Sequence, residues 1–386
     1  MIFNESHEDD SRPKLARESF YEFLDRSSLE PCTRIRSLIN ELVDQYPPSD
    51  QADVIGRLKS SDESDFRSAL FEIVLYRLLC RFCDEVAVHP PLENGFKPDF
   101  GMLFDDGSKI YVEAVLASER NGLTPSGQRL IETTLEHLNA HAHHSFRLAV
   151  ESSGEPSVQP SAKVLKGRIH SWLDSLNPDE ECADEELWSV FDIEGWSLSC
   201  RAIPLKPEQR GSSPRLLWSK GNGANWVNRS DSIRDAIVAK ANKYGKLDAP
   251  FIVAVNCNCF ALREHEELDA LFGDLRFNFI QDRPDLKAWP SRASNGAWYG
   301  RNGPRYKGVC AAWIFRDLQI YSLSIAEYVL YINPWSRLCL PSSLLELSNY
   351  RIDGKDGRLY PGLSTKTMLG LGDDWPSSKK LTSPFT

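Results

Sequence analysis

The sequence predicts an α/β fold in which a mixed sheet is flanked by helices. The clearest helical pattern, residues 65–83, comes directly before three strand-like runs, and a tight turn joins the second and third of these. Further along, residues 250–256 and 307–316 are dominated by unbroken runs of apolar residues, which are typical of strands covered on both faces. Helices on both sides of a sheet provide that cover.

The composition is that of a globular protein with a sizeable core. Of 386 residues, 41% are hydrophobic and 26% are charged, and no apolar run reaches the length of a membrane span. The first residues are polar and acidic, unlike a secretory signal, and the nine cysteines form no disulfide framework. We therefore expect a cytoplasmic protein with no membrane partner. A net charge of -10 argues against binding nucleic acid through overall charge, although a local patch can still do so.

In chain order, the sequence predicts a preface, a core and a tail. Residues 1–60 indicate a disordered start followed by helices, and residues 346–386 indicate an irregular C-terminal tail. Between them, residues 61–345 form the predicted core. An acidic stretch and a Gly/Pro/Ser-rich loop interrupt its order of helices and strands, which predicts an insertion at about 151–230.

The first unusual acid is Glu72, in the helix of residues 65–83. Its arginines share one narrow arc of the helix, and Glu72 falls on the opposite side among apolar residues such as Leu75 and Leu79. A glutamate on an apolar helix face is much rarer than one on the wet face. The structural alternative is a buried glutamate held by an arginine or a backbone amide.

Two more acids, Asp99 and Glu113, lie within the strand-like runs on either side of the turn Asp105-Asp106-Gly107. An ionised carboxylate is costly to bury without a partner, and two carboxylates on neighbouring strands repel each other. A divalent cation resolves both problems. The alternative is that each carboxylate faces water on an edge strand.

Together, Glu72 on a helix, Pro98-Asp99 and Glu113-Ala114-Val115 resemble the motif of the PD-(D/E)XK nuclease superfamily, which has the restriction-endonuclease-like fold. The resemblance covers residues 61–150 and, loosely, 231–320. It implies a helix-strand-strand-strand-helix-strand core and Mg²⁺- or Mn²⁺-dependent hydrolysis of DNA, in bacterial restriction, repair or defence. It also implies that Asp99, Glu113 and the Ala114 carbonyl bind the metal, while Glu72 holds a water or a second cation.

The sequence departs from this family at Val115, where the motif normally has a lysine. Lys240 is the best replacement, because Lys240-x-x-x-Tyr244 precedes a buried strand and is similar to the Gln-x-x-x-Tyr helix of some members. Lys97 is the second candidate, since it projects from the same face as Asp99. If Lys240 is the replacement, residues 231–256 supply the helix-strand half of the core. The alternative is that residues 124–150 supply this half of the core.

A basic, aromatic-bearing segment supplies a candidate DNA surface. Residues 201–248 contain ten Lys/Arg against four Asp/Glu, interleaved with tryptophans. Such a segment suits phosphate contact and base stacking, although an ordinary surface loop is the more common case. The predicted nucleic-acid-binding residues of this segment and of the motif region are Lys97, Arg215, Lys220, Trp226, Lys243 and Tyr244.

The resulting hypothesis is a metal-dependent nuclease in which Glu72, Asp99, Glu113 and Lys240 are catalytic. The alternative is a non-catalytic module of the same fold that binds nucleic acid or a protein. Association into a homodimer stays open.

Overall fold

The computed structural model describes residues 2–3, 10–12, 14, 18–117, 125–179, 187–193, 195–211, 215–217, 229–245, 247–257, 262, 264–278, 289–354 and 356–377. The chain divides into two compact units. Residues 1–118 and 229–386 form the first unit, and residues 119–228 form the second.

The helices of the described residues are α1 (Phe20–Arg26), α2 (Glu30–Asp44), α3 (Gln51–Leu58), α4 (Glu63–Leu79), α5 (Pro125–Asn139), α6 (Ala162–Asp174), α7 (Arg229–Lys243), α8 (Glu264–Phe272) and α9 (Thr365–Leu369). The strands are β1 (Glu85–Val88), β2 (Phe100–Leu103), β3 (Lys109–Ala117), β4 (Phe146–Gly154), β5 (Trp188–Ile193), β6 (Trp196–Pro204), β7 (Phe251–Cys257), β8 (Leu275–Asn278), β9 (Trp289–Arg292), β10 (Tyr299–Gly300), β11 (Gly303–Pro304), β12 (Val309–Arg316), β13 (Glu327–Ile332), β14 (Asn349–Asp353) and β15 (Asp356–Tyr360).

A mixed sheet organises the first unit. Within the described residues it has eight strands in the order β1-β2-β3-β7-β12-β13-β14-β15. The central strands β3, β7 and β12 run parallel, while β1, β2 and β3 pair antiparallel. All residues of β7 are buried, as are all but the last of β12. The prediction of an α/β fold with a large mixed sheet, and of these two buried strands, is confirmed.

Helices cover both faces of this sheet. On one face, α1 to α4 pack their apolar residues against alternate sheet positions such as Phe100, Ile110 and Val112. On the other face, α7 and α8 pack against the intervening positions, including Tyr111 and Val253. The side chains of β3 therefore alternate between two cores, and the odd-numbered positions face α7.

The second unit has its own sheet and core. Its strands pair antiparallel in the order β4-β6-β5, and its core combines apolar residues of α5 and α6 with those of the strands. The predicted insertion thus begins earlier than about 151. Residues 124–150 fall in the second unit, whereas residues 231–256 fall in the first, where β7 pairs directly with β3.

The two ends of the chain also differ from the prediction. The tail from residue 346 is not irregular, because β14 and β15 extend the main sheet and α9 follows them. At the other end, Ile2 and Phe3 are buried in the core of the first unit, so these two residues are not disordered. Among the helices of the described residues, none is long and apolar enough to cross a membrane.

Candidate functional site

Glu113 lies at the centre of the candidate site. It sits in the middle of β3, between β2 and β7, and its side chain is fully buried. Its position in the alternation places it on the face that α7 covers, where Tyr111 and Val115 join the same core. The alternative in which this acid faces water on an edge strand is therefore wrong.

The end of α7 supplies the partners of Glu113. Lys240 Nζ lies 2.7 Å from Glu113 Oε1, and Lys243 Nζ lies 2.9 Å from the same oxygen. The Tyr244 hydroxyl donates to Glu113 Oε2 and also lies 3.3 Å from the carbonyl oxygen of Lys97. Positions three and four apart project from one helix face, so this spacing brings all three groups to one carboxylate.

Asp99 completes the cluster from the residue before β2. Its backbone amide lies 3.4 Å from Glu113 Oε2, and its Oδ2 accepts a 2.7 Å hydrogen bond from the Ala114 amide. Across the described residues, no hydrogen bond reaches the other carboxylate oxygen, Oδ1. Burial, and then the charge of Glu113, raises the pKa of Asp99 from 3.8 to about 6.

The neighbouring groups shift the pKa of Glu113 in the opposite direction to that of Asp99. Burial alone would raise the pKa of this carboxyl, but hydrogen bonds from Lys240 and Tyr244 outweigh it and hold the pKa below its ordinary value. Burial and the same carboxylate raise the pKa of the Tyr244 phenol. At neutral pH, Glu113 is therefore ionised and Tyr244 is a neutral donor, while Asp99 exchanges its proton close to neutrality.

Glu72 is engaged elsewhere. Arg57 from α3 grips both of its carboxylate oxygens, at 2.7 and 2.6 Å, and the glutamate side chain is 13% exposed. The structural alternative, a glutamate held by an arginine, is what the structure contains. Glu72 still acts on Asp99 through its charge, which contributes to the raised pKa of that carboxyl.

Only some of the predicted DNA-binding residues lie at the Glu113 cluster. Lys243 and Tyr244 bind Glu113, while Lys97 is exposed and contributes its backbone carbonyl. Arg215 is exposed in the second unit. Lys220 and Trp226 lie outside the described residues.

The donor set of the cluster suits a hard divalent cation. Asp99 and Glu113 provide carboxylate oxygens, and Asp99 Oδ1 carries no competing hydrogen bond from the described part of the chain. Mg²⁺ typically takes one or two carboxylates and completes its shell with water and phosphate. Within the same residues there is no group of three or more His, Cys, Asp or Glu side chains that could hold a metal. A cation here would bind through Asp99, Glu113 and the neighbouring Ala114 carbonyl.

Sequence reasoning missed a second buried glutamate, Glu267 of α8. It is fully buried, Arg316 holds its two oxygens at 2.8 and 2.6 Å, and the Tyr331 hydroxyl donates to one of them. The available signal was the one that identified Glu72. Glu267 lies three and four positions before Ala270 and Leu271, on the apolar face of its helix.

Comparison of the chain with models of protein families, with curated proteins and with solved structures finds no match.

Proposed function

We propose that this protein is a metal-dependent nuclease of the restriction-endonuclease-like type that hydrolyses DNA phosphodiester bonds. The observation that carries the proposal is the convergence of Asp99, Glu113 and the Lys240 ammonium. These are one carboxylate just before β2, one on the neighbouring strand β3, and one lysine from α7, which precedes β7. This placement of Lys240 supports the hypothesis that it replaces the lysine that the family motif normally has at position 115.

Each residue has a task in such a reaction. Mg²⁺ or Mn²⁺, when bound, supplies Lewis acidity toward a phosphate oxygen and makes hydroxide available near neutral pH. Asp99 and Glu113 would hold the cation, and the Lys240 ammonium would orient the attacking water and offset charge on the phosphate. Tyr244 is a positioning residue, because its hydroxyl fixes the orientation of the Glu113 carboxylate.

The experiment is cleavage of supercoiled plasmid and linear DNA with Mg²⁺, Mn²⁺ or EDTA. We expect Asp99→Ala, Glu113→Ala and Lys240→Ala to lower the rate by about 10²–10⁴-fold, since stabilisation of this kind is worth several kcal/mol. Lys109→Ala is the matched control, because Lys109 lies on β3 but pairs with Asp248. Cleavage that persists in Asp99→Ala or in EDTA would contradict the proposal.

A second function, a non-catalytic module that binds nucleic acid or a protein, is favoured by one observation. Both oxygens of Glu113 are already occupied by donors from the chain. DNA binding without cleavage, unaffected by Asp99→Ala, would support this function instead.

A further inference from the structure

The acceptor capacity of Glu113 is completely used. An ionised carboxylate offers about four lone-pair sites, two on each oxygen. Oε1 accepts from the Lys240 and Lys243 ammonium groups, and Oε2 accepts from the Tyr244 hydroxyl and the Asp99 amide. A cation can therefore bind to Glu113 only after one of these four donors has left.

The four donors are not equally free to leave. The Asp99 amide belongs to the backbone next to β2, and Tyr244 is 1% exposed. The Lys240 side chain is 24% exposed and makes the 2.7 Å bond, whereas the Lys243 side chain is 41% exposed and makes the 2.9 Å bond. Lys243 is also the last residue of α7. A lysine there can turn its flexible stem into solvent without disturbing the helix.

We infer that Lys243 is an exchangeable counter-ion of this site: its ammonium group occupies, in the metal-free protein, the position on Glu113 Oε1 that a divalent cation takes. This inference rests on the proposed function. When a cation is bound, Lys243 would leave Glu113, and Lys240 would remain beside it. The released ammonium, at the rim of the site, is then free to contact a phosphate group of the substrate.

The charges of the cluster agree with this exchange. The two carboxylates of Asp99 and Glu113 and the two ammonium groups of Lys240 and Lys243 balance each other in charge. With a divalent cation and one phosphodiester in place, the two carboxylates and Lys240 already give a neutral site. Lys243 would then be a surplus positive charge on Glu113, so the full complex favours its departure.

The test is lysine footprinting by reductive methylation, followed by peptide mass spectrometry, with and without saturating Ca²⁺. We expect the labelling rate of Lys243 to rise severalfold with Ca²⁺, while those of Lys240 and Lys109 change less than about twofold, because only Lys243 loses its bond to a carboxylate. Lys240 is the internal control for the electrostatic effect of the cation, since its ammonium group contacts the same oxygen, Glu113 Oε1. A rise at Lys240 instead, or no rise at Lys243, would overturn the inference.

A binding measurement separates this inference from the proposed function. Mn²⁺ titration followed by electron paramagnetic resonance gives the affinity without any cleavage. We expect Lys243→Gln to bind Mn²⁺ roughly tenfold more tightly than the wild type, because no charged hydrogen bond has to break first. The control, Lys109→Gln, should match the wild type. Equal Mn²⁺ affinities for Lys243→Gln and the wild type would refute the exchange of Lys243 but not the proposed function. No Mn²⁺ binding in either protein would refute both.

Discussion

Two fully buried glutamates lie in the same core of the first unit, and they are held in different ways. Glu267 accepts two bonds from the Arg316 guanidinium and one from Tyr331. Glu113 accepts hydrogen bonds from two lysine ammonium groups and from the Tyr244 hydroxyl. A guanidinium is a rigid fork that matches a carboxylate, whereas an ammonium group is a point charge on a flexible stem.

The difference shows why only one of them is a candidate site. The Glu267 cluster is complete, because one arginine neutralises one buried carboxylate. At Glu113 a second carboxylate, Asp99, lies against the first, and burial and Glu113 raise its pKa to about 6. Folding alone does not require such a carboxylate pair. A buried acid therefore indicates function when a second carboxylate lies beside it, because a bound cation can reduce the repulsion between the two negative charges.

Arg316→Ala tests the structural cluster and has the largest expected effect on stability. It leaves Glu267 buried without its cation, which costs about 3–5 kcal/mol of unfolding free energy. Urea denaturation measures the loss. The control is Glu327→Gln, which removes only the 72% exposed partner of Arg316 and should cost less than about 0.5 kcal/mol. Similar losses in both variants would mean that the Glu267 pair is not essential.

Asp99→Asn should stabilise the protein, whereas Arg316→Ala destabilises it. The pKa of Asp99 is raised from 3.8 to about 6 in the folded protein, so its contribution to stability is fully present below pH 3.8 and is lost as the pH rises through 6. The asparagine variant should therefore equal the wild type near pH 4 and exceed it by about 1–3 kcal/mol at pH 8. Urea denaturation at both pH values checks this. Asp105→Asn, in the exposed turn after β2, is the control, and a matching pH dependence in wild type and Asp99→Asn would refute the prediction.

The two tyrosines allow a direct comparison of the clusters. Tyr331→Phe should cost about 2 kcal/mol and Tyr244→Phe about 1 kcal/mol, because each removes a donor to a buried carboxylate and Glu113 retains more donors than Glu267. Thermal unfolding of both variants measures the order. Tyr328→Phe removes a hydroxyl that donates to the Leu363 carbonyl and serves as the uncharged control. A larger loss of stability in Tyr244→Phe than in Tyr331→Phe would contradict the prediction.

Glu72→Gln should have the smallest effect on the site. The charge of Glu72 helps to raise the pKa of Asp99, so the variant should lower that pKa slightly. Carbon-13 NMR of the Asp99 carboxyl follows the titration. An unchanged pKa would show that Glu72 and Arg57 form a unit without influence on Asp99.

Part of the site could be predicted from local signals in the sequence and part from the family resemblance. An acid within an apolar strand-like run singled out Asp99 and Glu113, and the resemblance of Lys240-x-x-x-Tyr244 to a family motif singled out the helix. All four meet in the structure. Two central strands of the main sheet, β7 and β12, were predictable from local pattern, since nearly all of their residues are apolar.

The rest depends on contacts that no local pattern contains. Nothing in the sequence pairs Arg57 with Glu72, because the two belong to different helices. Lys243 was predicted to contact DNA, and its bond to Glu113 follows from the packing of α7 on β3. The earlier start of the second unit also escaped prediction, because α5 and β4 have the same pattern as a continuation of the main sheet.

The position of the second unit in the chain has a consequence for folding kinetics. Glu113 and Lys240 are 127 residues apart, with residues 119–228 between them, although β3 and β7 are direct neighbours. Closing so long a loop is slow and entropically costly unless the intervening chain becomes compact first. We therefore expect the second unit to accelerate assembly of the Glu113 cluster by folding early, and destabilising its core should delay that cluster in refolding experiments.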